Sequence, residues 1–195
     1  MDQTRIKEDL SIIKRIMEES RQNFYNYGIN LVVWGGIVIT ELLLTYVNVA
    51  IHYFIPEYWY WLIGFSGGFL FEFIHGRKWC RDNHAIQQAN RIGSTLWMSI
   101  LLTIVLFGTV GVSSGVVNGE GASGFIAGLL AIGYLVTGEL IKLPWVKRLG
   151  YGWWIGAIIL FYTPGDKNLL LMALLMFLLQ FIPGLILLVK GPKND

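Results

Sequence analysis

The feature that most constrains this chain is a series of six apolar runs, each bounded by charged or turn-forming residues. About 20 predominantly apolar residues are needed for a helix to cross the hydrocarbon core of a bilayer. Hydrophobic residues make up 54% of the 195 positions and charged residues 14%, and the mean hydropathy is +0.55. This composition is outside the usual range of soluble domains. The sequence therefore predicts an all-α, polytopic membrane protein with a six-transmembrane-helix bundle. The predicted spans are 29–50, 58–74, 93–112, 124–141, 149–162 and 169–189.

The fifth run, residues 149–162, is the least certain span. At 1.5 Å per residue a helix of its length reaches only about 21 Å, less than the hydrocarbon thickness. We expect it to recruit flanking residues, to lie in thinned bilayer, or to be partly re-entrant.

The basic residues predict the orientation. Fourteen of the 15 Lys and Arg residues fall in segments on one side of the six-span topology, and Lys167 alone falls on the other. Short cytoplasmic loops retain Lys and Arg, so the pattern predicts that both termini are cytoplasmic. We expect a multi-pass protein integral to the plasma (cytoplasmic) membrane.

The chain divides into a cytosolic amphipathic helix at 1–27, the transmembrane domain at 28–190 and a short cytosolic tail at 191–195. Ile6, Leu10, Ile13 and Met17 recur at helical spacing and form an apolar stripe opposite charged residues. Three interpretations fit this stripe: an interfacial helix on the inner leaflet, a coiled-coil-like dimer seam, and a helix packed on the protein's own loops. The first two imply contact of these four residues with a membrane surface or with a partner.

Three carboxylates lie inside the predicted spans, and such residues are the first suspects for function because burying a charge in the bilayer is costly. Glu41 lies near the middle of the first span and should face the bundle interior as a protonatable or cation-binding group. Its alternative role is a hydrogen bond to a neighbouring helix. Glu72 and Glu139 lie near cytoplasmic helix ends, where a structural role is favoured, and Lys142 is at helix-pair spacing from Glu139.

The last span contains Gln180 and Pro183. A proline inside a membrane helix leaves the carbonyl of Leu179 without its usual donor. Such a break lines an ion path in some proteins, and in more it is only a kink.

Glycines and tryptophans add packing expectations. Four Gly-x3-Gly pairs allow close approach of helices, and we expect packing within the chain more often than a homo-oligomer through these faces. The tryptophans near the ends of the second and fifth spans fit interfacial belts. The glycine pairs are Gly64 with Gly68, Gly111 with Gly115, Gly124 with Gly128 and Gly152 with Gly156; the tryptophans are Trp59, Trp61, Trp145, Trp153 and Trp154.

Three helices followed by three would place the two halves in inverted orientation, which is a common transporter plan. Short fragments around Glu41 and Glu139 align, so the sequence permits a 3+3 inverted repeat. The two carboxylates would, however, lie at different depths.

No pattern supports an enzyme or a nucleic-acid-binding protein. The segment from His75 to His84, which includes Cys80 and Asp82, holds four potential metal ligands. Its spacing matches no standard zinc motif, and the neighbouring Arg77, Lys78 and Arg81 oppose a bound cation, so we predict neither a metal nor a cofactor.

Two functions remain. The leading hypothesis is a small channel or secondary transporter for an ion or small solute, with Glu41 in the path and Gln180 and Pro183 helping to line it. The alternative is a non-transporting accessory or sensory subunit whose N-terminal helix docks a cytosolic or membrane partner. A polar cavity that reaches Glu41 would favour transport, and solid packing around it would favour the accessory subunit.

Overall fold

A computed structural model describes the backbone of residues 3–51, 56–79, 84–111, 113–116 and 119–190. It describes the side chains of 27–51, 56, 59–75, 91–111, 113–116 and 121–189. This part of the chain is entirely helical and contains no strand, so the predicted all-α class is confirmed. The stripe residues Ile6, Leu10, Ile13 and Met17 lie outside the described side chains, as do Cys80, Asp82 and His84.

The first helix, α1, is Gln3–Ala50, and its 48 residues form one uninterrupted α-helix. At 1.5 Å per residue it is about 72 Å long, more than twice the thickness of the hydrocarbon core. The predicted cytosolic helix and the predicted first span are therefore parts of the same rod.

Five further helices follow. They are α2 (Glu57–Trp79), α3 (His84–Val105, continued by the π-helical segment Leu106–Gly111), α4 (Gly119–Leu140), α5 (Pro144–Phe161) and α6 (Lys167–Met176, the π-helical segment Phe177–Phe181, and Ile182–Lys190).

Five pairs of neighbouring helices are antiparallel: α1–α2, α3–α4, α4–α5, α5–α6 and α1–α6. As the residue number rises along one helix, the number of the facing residue falls along the other. Helices α1, α3 and α5 consequently run in one direction, and α2, α4 and α6 in the other. Facing positions are Trp34 with Gly68 and Glu41 with Gly64; Trp97 with Thr137 and Phe107 with Phe125; Gly138 with Lys147 and Gly124 with Phe161; Gly152 with Leu179 and Gly156 with Leu175; Gly28 with Leu187 and Gly35 with Phe181.

Four of the described helices are long and apolar enough to cross a membrane: 27–50, 91–111, 121–140 and 167–189. Helices α2 and α5 are outside this set. Helix α5 has 18 residues, so it reaches about 27 Å rather than the 21 Å expected from its apolar run. It carries Lys147 and Arg148 in its first turns, which lowers its mean hydropathy.

The core of the bundle nevertheless centres on α5. The largest side chains that are fully buried are Tyr134 on α4 and Val146, Trp153 and Leu160 on α5. Helix α4 covers one side of α5 and α6 covers another. The interfacial position expected for Trp153 is therefore wrong: its side chain has no exposed surface, because it lies on the face of α5 that packs against Tyr134 of α4.

The outer helices expose large apolar side chains. On α2 and α3 many of them are more than half exposed, a pattern that in a soluble monomer would be a large apolar patch and that suits an environment of lipid. The fold is thus compatible with a membrane-embedded protein. These residues are Leu62, Ile63, Leu70, Phe73, Ile74, Leu102, Leu106 and Val110.

Candidate functional site

Five residues with polar groups in the apolar part of α1 form one continuous face. Asn30, Trp34, Glu41, Thr45 and Asn48 are separated by four, seven, four and three residues, which places them within about 60° around the helix axis. The side chains of Glu41, Thr45 and Asn48 are buried, with 4%, 7% and 6% of their surface exposed. This face of α1 is therefore turned away from lipid.

Helix α2 covers that face through two glycines. The Glu41 carboxyl occupies the place that a side chain at Gly64 would need, and the Trp34 indole lies 2.9 Å from where a Cβ at Gly68 would be. Ile37 fills the space between them. Gly64 and Gly68 thus bring α2 close enough to α1 to bury a carboxylate, and for this pair the predicted packing within the chain is confirmed.

Hydrogen bonds hold the two helices together beside Glu41. The Thr45 hydroxyl donates to the backbone carbonyl of Glu41 over 2.9 Å. It also accepts from the Tyr60 hydroxyl over 3.3 Å and from the Trp61 indole N–H over 3.2 Å. Among the described residues, nothing forms a hydrogen bond with Oε2 of Glu41. The site therefore contains a buried carboxylate oxygen without a partner.

The other two carboxylates lie elsewhere. Glu72 is exposed on α2 and accepts a 3.3 Å hydrogen bond from the Trp34 indole N–H. Glu139 is 72% exposed at the end of α4, where its carboxylate accepts a 2.7 Å hydrogen bond from Lys147. This bond and the negative charge of Glu139 raise the pKa of the Lys147 amine.

The expected pairing of Glu139 with Lys142 is wrong. Helix α4 ends at Leu140, and Lys142 adopts a positive φ of 54° in the turn that follows. The chain doubles back through this turn, so the first turns of α5 bring Lys147 against Glu139 instead.

Gln180 and Pro183 belong to α6, which packs on a different side of α1 than α2 does. Gln180 is buried within the π-helical segment of α6, and the helix continues through the buried Pro183. Helix α6 meets α1 at Gly28 and Gly35. These glycines are roughly 120° around the helix axis from the face that carries Glu41. Glu41 therefore belongs to the α1–α2 pair and Gln180 to the α1–α6 pair, and the two do not form one site.

A second buried polar cluster was missed by the sequence analysis. It lies between α1, α3, α4 and α5, where the Trp97 indole N–H donates to the Thr137 hydroxyl over 3.0 Å. The Tyr134 and Trp153 rings pack 6.2 Å apart, and Tyr27 approaches both Thr137 and Tyr134. No sequence motif marks this cluster, because its members come from four separate helices.

Two surface grooves are present in the described part of the chain. One lies beside Arg91, Ile92, Thr95 and Leu96. The other, of about 550 Å³, is apolar and runs between α4 and α5 over Gly124 and Gly128, with Trp154 and Phe161 at its rim. Glu41 lines neither groove, so the site is closed in this conformation.

The described residues contain no group of three His, Cys, Asp or Glu side chains that could hold a metal ion together. His75 stacks on Phe71 with ring centroids 5.4 Å apart. Its predicted companions in the metal-ligand segment lie outside the described side chains.

The two halves of the chain differ in their packing. Glu41 is buried beneath α2, whereas Glu139, its counterpart in the aligned fragments, is exposed and paired with Lys147. Helices α4 and α5 form an extensive contact, and α1 and α2 a smaller one. An inverted repeat would therefore require the two halves to have diverged in environment as well as in sequence.

Comparisons with protein-family models, with curated proteins and with solved structures found no match to this chain. A function must consequently be argued from the geometry around Glu41.

Proposed function

We propose that this protein is a small channel or secondary transporter for an ion or small solute, and that Glu41 binds the transported or coupling cation between α1 and α2. The observation that carries the proposal is the Glu41 carboxyl, which is buried in an apolar span and has one oxygen without a partner. An intramembrane carboxylate is costly to insert, by about 2.5 to 3.5 kcal/mol on insertion scales. A cation bound there would supply the missing partner.

The topology in this proposal is six spans with both termini in the cytoplasm. The alternating directions of the six helices support it, as does the partition of basic residues to one side. Helices α2 and α5 would cross with their aromatic and charged residues near the two interfaces. The cytoplasmic membrane is the membrane we propose.

Of the two helices that enclose Glu41, α2 is the more suited to move. Within the described part of the chain α1 is its main helix neighbour, and its outer face is exposed. The contact beside Glu41 depends on two glycines and on hydrogen bonds to one threonine. A small displacement of α2 would therefore uncover the carboxyl without disturbing the core around α5.

The proposed path follows the α1–α2 interface and leaves out Gln180 and Pro183, because the helix that carries them, α6, meets α1 at Gly28 and Gly35. Glu139 is exposed at the end of α4, and Glu72 is exposed about two turns before the end of α2. On this proposal both meet ions near a membrane surface rather than within the path.

The closed packing around Glu41 favours a second candidate, a non-transporting accessory or sensory subunit. Its partner, a cytosolic or membrane protein, would dock on the N-terminal part of α1, and the α4–α5 groove over Gly124 and Gly128 would suit a second copy of the chain. In this function Glu41 would only stabilise the α1–α2 contact.

A flux screen in proteoliposomes distinguishes the two. We expect movement of at least one ion or small solute through the wild-type protein and its loss in Glu41→Gln, which keeps the shape of the side chain but not its charge. Asp166→Asn, an exposed carboxylate outside the helices, is the matched control and should transport normally. Equal flux in wild type and Glu41→Gln would contradict the cation-binding role of Glu41. No flux of any tested solute would contradict transport and favour the accessory subunit.

A further inference from the structure

We infer that the cation bound by Glu41 is the proton, and that the site excludes metal cations. This inference rests on the proposed function and adds to it the identity of the ion. Two properties of the site lead to it: the number of free oxygen atoms around the carboxyl, and the space beside it.

The oxygens available beside Glu41 are too few for a metal cation. A hard cation that leaves water needs its hydration shell replaced by about six oxygen ligands or more. Among the described residues, two hydroxyls belong to this hydrogen-bonded group. Thr45 donates to a carbonyl and accepts from Tyr60 and Trp61, so its proton and both its lone pairs are engaged. The Tyr60 hydroxyl, whose proton is engaged by Thr45, adds at most one oxygen. Gly64 contributes no side chain.

The remaining surroundings are apolar or aromatic. Ile37 lies against Gly64, and the rings of Trp34, Phe65 and Trp61 pack in a row with centroids 5.8 and 5.7 Å apart. None of these side chains offers an oxygen. Glu72, the other carboxylate of this helix pair whose side chain the structure describes, accepts a hydrogen bond from the Trp34 indole. It lies eight residues, about two helical turns, beyond Gly64 along α2.

The space between α1 and α2 also favours a proton over a metal ion. The Glu41 carboxyl fills the volume that even a single methyl group at Gly64 would need, so a metal ion with several ligands has no room between the two helices. A proton adds almost no volume. Binding requires only that H⁺ from water joins Oε2 to give the carboxylic acid, and release returns H⁺ to water and restores the carboxylate.

The test is infrared difference spectroscopy of the protein in lipid, combined with flux. On acidification we expect a carboxylic-acid C=O band that is absent in Glu41→Gln and retained in Asp166→Asn. At constant pH, adding Na⁺, K⁺, Mg²⁺ or Ca²⁺ should leave this band unchanged. In proteoliposomes, a pH gradient should decay through the wild type, at least tenfold more slowly through Glu41→Gln, and equally fast with sodium, potassium or choline as the bulk cation.

Each failure has its own signature. Loss of the Glu41 band on adding one of the metal ions would overturn the proton inference and leave transport standing, as would flux that requires that metal. A spectrum with no Glu41-dependent band at any pH would also overturn it. A Glu41 band that titrates and ignores metals, in a protein that moves nothing, would uphold the proton site and refute transport.

Discussion

Two antiparallel helix pairs, α1–α2 and α4–α5, use the same device to approach each other and differ in what surrounds them. In each, a glycine on one helix faces a group of the other that leaves no space for a side chain: Gly64 faces the Glu41 carboxyl, and Gly138 faces the backbone of Lys147. Helix α5 contacts both α4 and α6, whereas within the described part of the chain α2 contacts mainly α1. Close contact therefore makes α4–α5 the rigid centre of the bundle. In α1–α2 it gives a contact that can separate and that covers a buried carboxylate.

The largest effect is expected from Gly138→Ala in the α4–α5 pair. The new Cβ would lie 2.6 Å from the Lys147 Cα, and backbone cannot rotate away as a side chain can. We expect the free energy of unfolding to fall by about 3 kcal/mol, at the upper end for overpacking. Thermal unfolding in detergent measures it.

Gly128→Ala is the control on the same helix. Nothing lies within 4 Å of its added Cβ, and alanine is favoured over glycine in a helix by about 0.5 to 1 kcal/mol. If both alanine variants unfolded alike, the rigid contact that we assign to Gly138 would not exist.

In the α1–α2 pair, Gly64→Ala should impair function more than stability. The methyl group would meet the end of the Glu41 side chain, which can swing aside, so we expect a loss of only about 1 to 2 kcal/mol. Proton flux should fall to the level of Glu41→Gln. Gly67→Ala, whose Cβ meets nothing within 4 Å, should keep both stability and flux. Wild-type flux in Gly64→Ala would show that the position of the carboxyl does not matter.

Thr45→Val tests the hydrogen bonds that join the same pair. It removes the acceptor used by Tyr60 and Trp61, and interhelical hydrogen bonds in membranes contribute about 0.6 kcal/mol on average, up to about 1.7. We expect a loss of about 1 kcal/mol in chemical unfolding. Thr40→Val should change little, because the Thr40 hydroxyl donates only within its own helix, to the Gly36 carbonyl. An equal effect of both substitutions would assign the loss to the helix rather than to the contact.

The smallest effect is expected where α4 and α5 meet at their open end. Replacing Lys147 by Gln removes the 2.7 Å ion pair with Glu139. Both groups are well exposed, so water and salt screen their attraction. The melting temperature should stay within measurement error, and any shift should vanish in high salt. A large, salt-resistant loss would mean that charge, rather than the Gly138 contact, joins this pair.

Sequence periodicity predicted the helical class and singled out Glu41, because helix spacing and the cost of an intramembrane charge are local properties. Extending the face of Glu41 by four and seven residues would also have found Thr45 and Asn48. The partner surface at Gly64 could not be predicted, since the register between two helices depends on tertiary packing. Trp153 was placed at an interface for the same reason, because the sequence does not show which helices surround a residue.

The Lys142 error has another cause. Helix spacing predicted an ion pair within α4, but the helix ends before that lysine, and a turn sets the actual geometry. Helix ends are the least predictable part of such a chain, and Glu139, Lys142 and Lys147 all lie at or near one.

The unbroken α1 has a mechanical consequence. Residues 3–26 continue the helix that carries Glu41, so they extend about 36 Å beyond the apolar span as a single stiff arm. If the helix pivots by about 10° where it crosses α6 at Gly35, the far end of the arm, about 48 Å away, sweeps roughly 8 Å. An event as small as protonation of one carboxyl could thus be read as a displacement far from the bilayer, without any hinge between the two places.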